Sequence, residues 1–270
     1  MLKPMPVDST PPERRFQRAS RESPRRGAAD GHGEILEELA TAPVRGIGRV
    51  PYASNAVFLL ELDAPAPGGE GRLRCVYKPR RGERPLWDFP HGTLHLREVA
   101  TYLVDAALEF GVVPPTTLRD GPHGPGSVQL VVDVAEEAPP GAGREQVEPT
   151  LLRMAALDAL VNNADRKSAH LLLDVAGRLF GIDHGLTFLP YPRQRTVLIE
   201  LGGSPLPEAA AAAVAQLAEP GERRADLLAH LALLLAPAEV RAFAARLEEL
   251  AADPVYPVLD AWDGRPFEWW

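Results

Sequence analysis

The hydrophobic pattern of the chain changes about halfway along its length. In the first half, short apolar stretches are bounded by turn-forming residues, which is typical of strands. The predicted strands cover residues 44–50, 55–62, 73–77, 112–118 and 127–132. Apolar residues that recur every three or four positions predict helices. In the first half, these helices cover residues 34–39 and 94–103. In the second half, one helix ends just before residue 162, and three more cover residues 206–218, 222–235 and 237–251.

This order of elements predicts an α+β chain with two lobes. The first is a five-stranded antiparallel sheet with one main helix, expected over residues 33–135, and the second is mainly helical, over residues 136–252. Residues 1–32 are rich in Pro, Arg, Ser and Gly, so we expect a disordered tail. In the C-terminal tail, residues 253–270, the last two Trp residues are expected to dock on the body, the alternative being a patch that binds a partner.

Composition narrows the class of protein. The chain has 270 residues, of which 45% are hydrophobic and 24% charged, as is usual for a soluble globular protein. No apolar run approaches the roughly 20 residues that span a bilayer, and the N-terminus lacks a secretory signal, so a cytoplasmic location is expected. The single cysteine, Cys75, excludes an internal disulfide and a Cys-based zinc site. We expect it to be an inert core residue.

Charge is distributed unevenly. The net charge is -8, although residues 1–33 contain more basic than acidic residues. An acidic body argues against nucleic acid as a partner. The basic tail could contact a membrane only weakly. We favour the interpretation that the tail is solvated.

Two acidic residues flank a predicted hairpin in the second half. Its strands cover residues 171–173 and 179–182, with Asp165 before the first strand and Asp183 after the second. A hairpin brings both carboxylates to the same end of the ribbon. Protein kinases place a catalytic Asp five residues before a metal-binding Asn, and a second metal-binding Asp after such a hairpin. Here His170 lies five positions after Asp165. Each segment alone would usually be a simple turn.

The first half offers a basic and an acidic partner for this site. The third predicted strand ends at Lys78, and the helix over residues 94–103 contains Glu98. A carboxylate on a packed helix can fix a strand lysine beside phosphate oxygens. Between the first two strands, Ser54 and Asn55 lie in a turn whose backbone N–H groups can face a phosphate, although no GxGxxG motif is present.

Taken together, these residues resemble the phosphatidylinositol 3/4-kinase-like branch of the protein-kinase superfamily. The likeness is greatest to an actinobacterial family of small proteins within that branch. The pattern Asp-x-Leu-x-x-Asn-x-Asp-Arg over residues 158–166 is similar to that of HipA-type kinases, and Asp-His-Gly over residues 183–185 stands where many kinases have Asp-Phe-Gly. The resemblance covers roughly residues 40–250 and implies a two-lobed protein-kinase-like fold with a catalytic β-hairpin.

The resemblance also implies roles for individual residues. Lys78 becomes the phosphate-binding lysine and Glu98 its partner, while Asp165 is the catalytic residue that orients or deprotonates the acceptor. Asp183 is then the main metal ligand, with His170 at the position of the ligand Asn. In a kinase the linker between the lobes binds adenine through its backbone. The residues expected to do so here are Val131, Val132 and Asp133.

We therefore expect an ATP-dependent phosphotransferase that uses Mg²⁺ or Mn²⁺. Imidazole suits softer ions than Mg²⁺, so we expect His170 to let the enzyme work as well with manganese as with magnesium. The acceptor hydroxyl stays open between a lipid head group, a small alcohol and a protein. Arg193 and Arg195 lack a nearby acid in the sequence and would suit an anionic acceptor. A nucleotide-binding pseudokinase that acts as an interaction module is the alternative, and a nucleotidyl-transferring variant is a third reading.

Overall fold

The computed structural model describes residues 32–51, 53–69, 71–135 and 144–266. The predictions for the N-terminal tail and for the last two Trp residues fall outside these residues. Within them, the first half forms one five-stranded antiparallel sheet, with strand order β1-β2-β3-β5-β4. The strands are β1 (Val44–Arg49), β2 (Phe58–Pro65), β3 (Arg72–Pro79), β4 (Thr116–Gly121) and β5 (Gly124–Leu130). All five strands and their antiparallel arrangement are confirmed.

Two predicted strands begin later than the sequence suggests. Strand β2 starts at Phe58, not at residue 55, and strand β4 starts at Thr116, not at residue 112. The backbone N–H groups of Val112 and Val113 donate to the carboxylate of Asp105, at 3.2 and 3.1 Å, and are thus unavailable to a sheet. The two prolines that follow cannot donate at all. The chain therefore joins the sheet only after residue 115.

Two helices flank the sheet. Helix α1 (Gly33–Thr41) covers one face, where Leu39 packs against alternate residues of the strands. This small core contains Leu60, Leu62, Leu73, Cys75, Tyr77 and Val128. Helix α2 (Leu94–Leu108) is the main helix. Most of its buried apolar residues belong to a different and larger core, which it shares with the helices of the second half.

The second half is mainly helical, as predicted. It contains α3 (Arg144–Val161), α4 (Glu208–Ala218), α5 (Glu222–Leu234) and α6 (Pro237–Ala252), with the short hairpin of β6 (Leu171–Leu173) and β7 (Leu179–Gly181). Pro237 lies in the first turn of α6, where its missing N–H costs no hydrogen bond. None of the helices in the described ranges has the length and apolar character needed to cross a membrane.

Candidate active site

Lys78 joins the two halves of the molecule. From the end of strand β3, its Nζ atom donates to Glu98 Oε1 on helix α2 at 2.5 Å and to Asp183 Oδ1 after the hairpin at 2.9 Å. Burial opposes the charge of Lys78, but the two carboxylates outweigh it and raise the pKa of the lysine. Lys78 mainly accounts for the lowered pKa of Asp183. The structure thus brings together three residues that lie far apart in the sequence.

Glu98 fixes two elements at once. Its side chain is almost fully buried, and burial raises its pKa although Lys78 opposes this. While Oε1 accepts from Lys78, Oε2 accepts from the backbone N–H of His184 at 2.9 Å. A Cβ atom at Gly185 would lie 3.4 Å from the Leu94 Cβ, an ordinary van der Waals contact, so this segment lies against helix α2. The Asp-His-Gly segment is therefore held directly against the helix.

Asp183 and His170 meet at the open end of the hairpin. Strand register pairs Leu171 with Gly181, and the Ile182 N–H donates to the His170 carbonyl at 2.9 Å. This places His170 Nε2 3.4 Å from Asp183 Oδ2. Burial lowers the pKa of His170, which favours the neutral imidazole. Asp183 has a left-handed backbone with φ of 61°, a conformation that costs of order 1–3 kcal/mol outside glycine.

Asp165 lies on the loop that follows helix α3. Its backbone N–H donates to Asn163 Oδ1 at 3.0 Å, which fixes the turn, and Lys167 Nζ lies 2.9 Å from Asp165 Oδ2. Burial raises the pKa of Asp165, while the Lys167 ammonium works against it. Lys167 is a residue that our sequence reasoning missed. Its spacing of two positions from Asp165 was the available signal.

Arg166 connects the Asp165 loop to the Asp183 segment from inside the protein. Its guanidinium forms two parallel bonds to the Asp158 carboxylate, at 2.8 and 2.9 Å, and both side chains are fully buried. It also donates to the Ile182 carbonyl at 3.1 Å and to His184 Nε2 at 2.7 Å. His184, where many kinases have Phe, is thus a buried hydrogen-bond acceptor, and its pKa is lowered well below the usual value by burial.

The loop between β1 and β2 lies at the same end of the sheet as Lys78, since Phe58 at the start of β2 pairs with Tyr77. Ser54 is exposed in this loop. Asn55 Oδ1 already accepts from the Arg84 N–H at 2.9 Å, so its amide shapes the loop.

The linker predicted to bind adenine follows strand β5 directly. The Val131 N–H donates to the Arg74 carbonyl at 3.1 Å, and the Asp133 carbonyl accepts from the Val175 N–H at 3.1 Å. Asp133 also pairs with the Arg74 guanidinium. Val132 lies between these two anchored residues. The linker is therefore tied to the sheet on one side and to the hairpin on the other.

Two apolar residues beside Lys78 were also missed. Val76 precedes Lys78 by two positions in β3 and so shares its face of the sheet, and Leu59 is the cross-strand partner of Val76. Leu59 is 38% exposed, which is unusual for a large apolar residue in a central strand. Alternation along β3 was enough to find Val76, whereas Leu59 required the strand register.

Arg193 does not stand free, contrary to the sequence reading. Its guanidinium lies 3.6 Å from the Asp88 carboxylate and 5.6 Å from the Trp87 ring. Arg195 Nε donates to the Asp263 carbonyl at 3.1 Å. The Arg193 contacts arise because the loop before helix α2 reaches the segment after the hairpin, whereas the partner of Arg195 lies near the C-terminus. Both arginines therefore have structural partners, and the argument for an anionic acceptor is lost.

Whether the site can hold a divalent metal ion depends on which side chains can coordinate it. Across the described ranges, no group of three or more His, Cys, Asp and Glu side chains converges into a closed cage. Mg²⁺ usually takes one or two carboxylates together with phosphate oxygens and water, so a closed cage is not needed. Asp183 offers a half-exposed carboxylate, and His170 can coordinate through Nε2 in the tautomer with its proton on Nδ1, which gives up the weak 3.5 Å bond that Nδ1 accepts from the Lys167 N–H. The residues present therefore fit a divalent ion held jointly with a nucleotide.

The chain was compared with known proteins by sequence and by structure. Protein Rv2133c of Mycobacterium tuberculosis is 38% identical over 266 residues, covering 86% of this chain and 93% of the relative. The structure of hydra Fam20 with sugar superposes with a TM-score of 0.58 at 14% identity, over 81% of this chain and 86% of that one. The Helicobacter pylori proinflammatory kinase CtkA has a TM-score of 0.48 at 10% identity, over 81% and 94%.

The likeness to Fam20 shows a protein-kinase-like fold and confirms the predicted fold class. No protein-family model matches the sequence. The more specific assignment to a phosphatidylinositol 3/4-kinase-like family stays a prediction.

Proposed function

This chain belongs to the same family as protein Rv2133c of Mycobacterium tuberculosis, and we propose that it is an ATP-dependent phosphotransferase. One observation carries the proposal. Lys78 lies between the buried Glu98 and the half-exposed Asp183, which gives a fixed cation next to a carboxylate that solvent can reach. In phosphoryl transfer the protein chiefly positions the reactants and neutralises charge, and this arrangement supplies both.

ATP would lie across the face of the sheet that carries Lys78. Leu59 and Val76 offer an apolar surface for the base, and the linker at Val132 offers backbone groups at its edge. The phosphates would extend toward Lys78, with the loop at Ser54 above them. A nucleotide in this position replaces Asp183 as one of the partners of Lys78.

His170 and Asp183 would hold the divalent ion. When bound, Mg²⁺ or Mn²⁺ neutralises charge on the β- and γ-phosphates. The lowered pKa values of both residues keep the carboxylate ionised and the imidazole neutral at pH 7, as coordination requires. Asp183 would face the phosphates, and the bond from the His184 N–H to Glu98 supports this because it fixes the segment behind Asp183.

Asp165 would direct the acceptor. The hydroxyl oxygen of the acceptor attacks the γ-phosphorus, the bond to the bridging oxygen breaks, and ADP leaves. The proton of the hydroxyl passes to Asp165, whose raised pKa makes its carboxylate a better base than an ordinary aspartate. The Lys167 ammonium lies beside it and can neutralise the phosphoryl oxygens as they move. The acceptor is a hydroxyl of a lipid head group, a small alcohol or a protein.

Transfer from γ-labelled ATP tests the proposal. The wild type and Asp183→Asn would be compared with magnesium and, separately, with manganese, using protein alone, a lipid extract and a small-alcohol mixture as acceptors. Asparagine tolerates the left-handed backbone at this position, so the variant removes the charge without adding strain. We expect label on one acceptor and its loss in Asp183→Asn.

A surface variant, Glu248→Gln, is the matched control, since its carboxylate is 60% exposed and pairs with Arg224. It should transfer label as the wild type does. ATP binding without transfer to any acceptor would contradict a phosphotransferase. That result would instead support a nucleotide-binding pseudokinase.

A further inference from the structure

A buried ion pair links helix α2 to the last helix of the molecule. Arg97 Nη2 donates to Glu239 Oε1 at 2.5 Å, and the side chains are 1% and 5% exposed. The same guanidinium donates to the Thr187 carbonyl and lies 5.2 Å from the Phe89 ring. Arg97 immediately precedes Glu98, so the two residues hold the same turn of the helix from different directions.

Core packing places helix α2 with the C-terminal lobe. Its residues share one cluster with helices α3 to α6, whereas most buried residues of the sheet form a separate cluster under α1. The residues of α2 in the shared cluster are Leu96, Val99, Ala100, Tyr102, Val104 and Leu108. The first lobe reaches this cluster at Leu118 of strand β4 and at Leu36 of helix α1, and helix α2 also packs against β4 and β5. A third cluster packs Leu94 of α2 against Ala164 and Leu189, next to Asp165.

We propose that the Arg97–Glu239 pair is a permanent clamp that keeps Glu98 in place, so that the Lys78–Glu98 contact needs no activating movement of helix α2. Regulation by swinging the helix outward is then unavailable to this protein. Opening of the nucleotide site would instead move the sheet, with Lys78, away from a helix that stays on the C-terminal lobe. The inference rests on the proposed function for its catalytic meaning, but the fixed helix can be measured without any activity.

The physical reason is the cost of separating buried charges. An outward movement of α2 would separate the Arg97 guanidinium from the Glu239 carboxylate and the Thr187 carbonyl. Because these groups are buried, little water would be available to replace the lost bonds. Glu239 is itself anchored, because its Oε2 accepts from the Ala236 N–H at 2.8 Å and so caps helix α6. Thr101 adds a contact at 3.4 Å between its hydroxyl and that of Thr187. Both ends of the clamp are therefore fixed.

Hydrogen–deuterium exchange of the full-length protein tests the clamp directly. We expect the amides of Leu94–Leu108 to be as protected without nucleotide as with ATP and magnesium. In Glu239→Gln, which retains the capping group, exchange in this helix should become at least about tenfold faster. Protection that appears in the wild type only when ATP is added would overturn the proposal.

Binding of ATP with magnesium, measured by calorimetry, tests the consequence for the site. Glu239→Gln should raise the Kd by on the order of tenfold at unchanged stoichiometry, since Glu98 no longer holds Lys78. Simple misfolding would lower the stoichiometry and leave the Kd alone, which would overturn a positioning role.

The double variant Arg97→Met/Glu239→Gln separates these effects further. It leaves no unpaired buried charge, so stability should recover while the Kd stays high. Recovery of both would overturn the clamp. Glu248→Gln, whose carboxylate is 60% exposed, should change neither quantity. If the wild type binds no ATP at all, the proposed function fails, whereas the exchange result still decides whether the helix is fixed.

Discussion

Replacing Asp158 with Asn removes one negative charge from the interior and keeps the shape of the side chain. The Asp158 carboxylate accepts two bonds from Arg166 and one from Asn163 Nδ2 at 2.8 Å, with neither ion-pair partner exposed to water. In the variant, an amide group would face these donors, and the Arg166 charge would stay buried without a counterion. Breaking one side of such a pair costs about 3–5 kcal/mol in free energy of unfolding.

This loss is large against a total stability of roughly 5–15 kcal/mol. With about 2–4 °C of melting temperature per kcal/mol for a domain of this size, the melting temperature should fall by roughly 6–20 °C. Urea unfolding followed by far-ultraviolet circular dichroism measures the free energy, and an unchanged slope with urea concentration shows that the two-state comparison holds. Because Arg166 also holds the segment before Asp183, phosphoryl transfer should fall as well.

Glu248→Gln provides the comparison, because the carboxylate that it replaces is 60% exposed, and the change should cost no more than about 1 kcal/mol. Equal losses in the two variants would refute the reasoning. They would mean that the Arg166 charge is solvated in the native protein, and that burial does not set the cost.

Three further predictions concern the site. Lys78→Met should abolish the rise in melting temperature on adding ATP and magnesium, since the phosphates lose their fixed cation; an undiminished rise would contradict the assigned role. Burial raises the pKa of Asp165, so transfer should decline as the pH falls through that raised pKa, at a pH above the ordinary value of about 3.9. Initial rates measured across a pH series test this. A decline that begins only at the ordinary pKa would contradict the role of Asp165 as the base. Manganese should support transfer at least as well as magnesium; a clear loss on exchanging magnesium for manganese would count against His170 as a ligand.

The sequence predicts the strands and helices of this fold well because the residues that begin and end them lie next to them in the chain. Glycine and proline turns separate the strands, and the hairpin follows from two short apolar runs around a turn. The same local order brought Asp165, His170 and Asp183 to one end of the ribbon. The late start of β4 escaped prediction because Asp105, on the preceding helix, takes the N–H groups that a strand would use.

Contacts between distant segments explain what the sequence did not reveal. Arg97 and Glu239 are separated by 142 positions, and each alone looks like a solvated charge on a helix. Asp88 likewise meets Arg193 only because the loop before α2 crosses to the other lobe. Such pairs depend on the packing of whole elements, which local periodicity does not encode. Lys167, by contrast, could have been found from its spacing to Asp165.

The burial of Cys75 has a practical consequence for measuring movement between the lobes. It is the only cysteine in the chain, it is fully buried, and burial raises the pKa of its thiol to about 12, so it should not react with maleimide dyes at neutral pH. Cysteines introduced at two exposed positions, such as Ile47 on the sheet and Val258 on the helical side, would then be the sole labelled sites. Fluorescence energy transfer between them could follow opening of the nucleotide site in otherwise native protein.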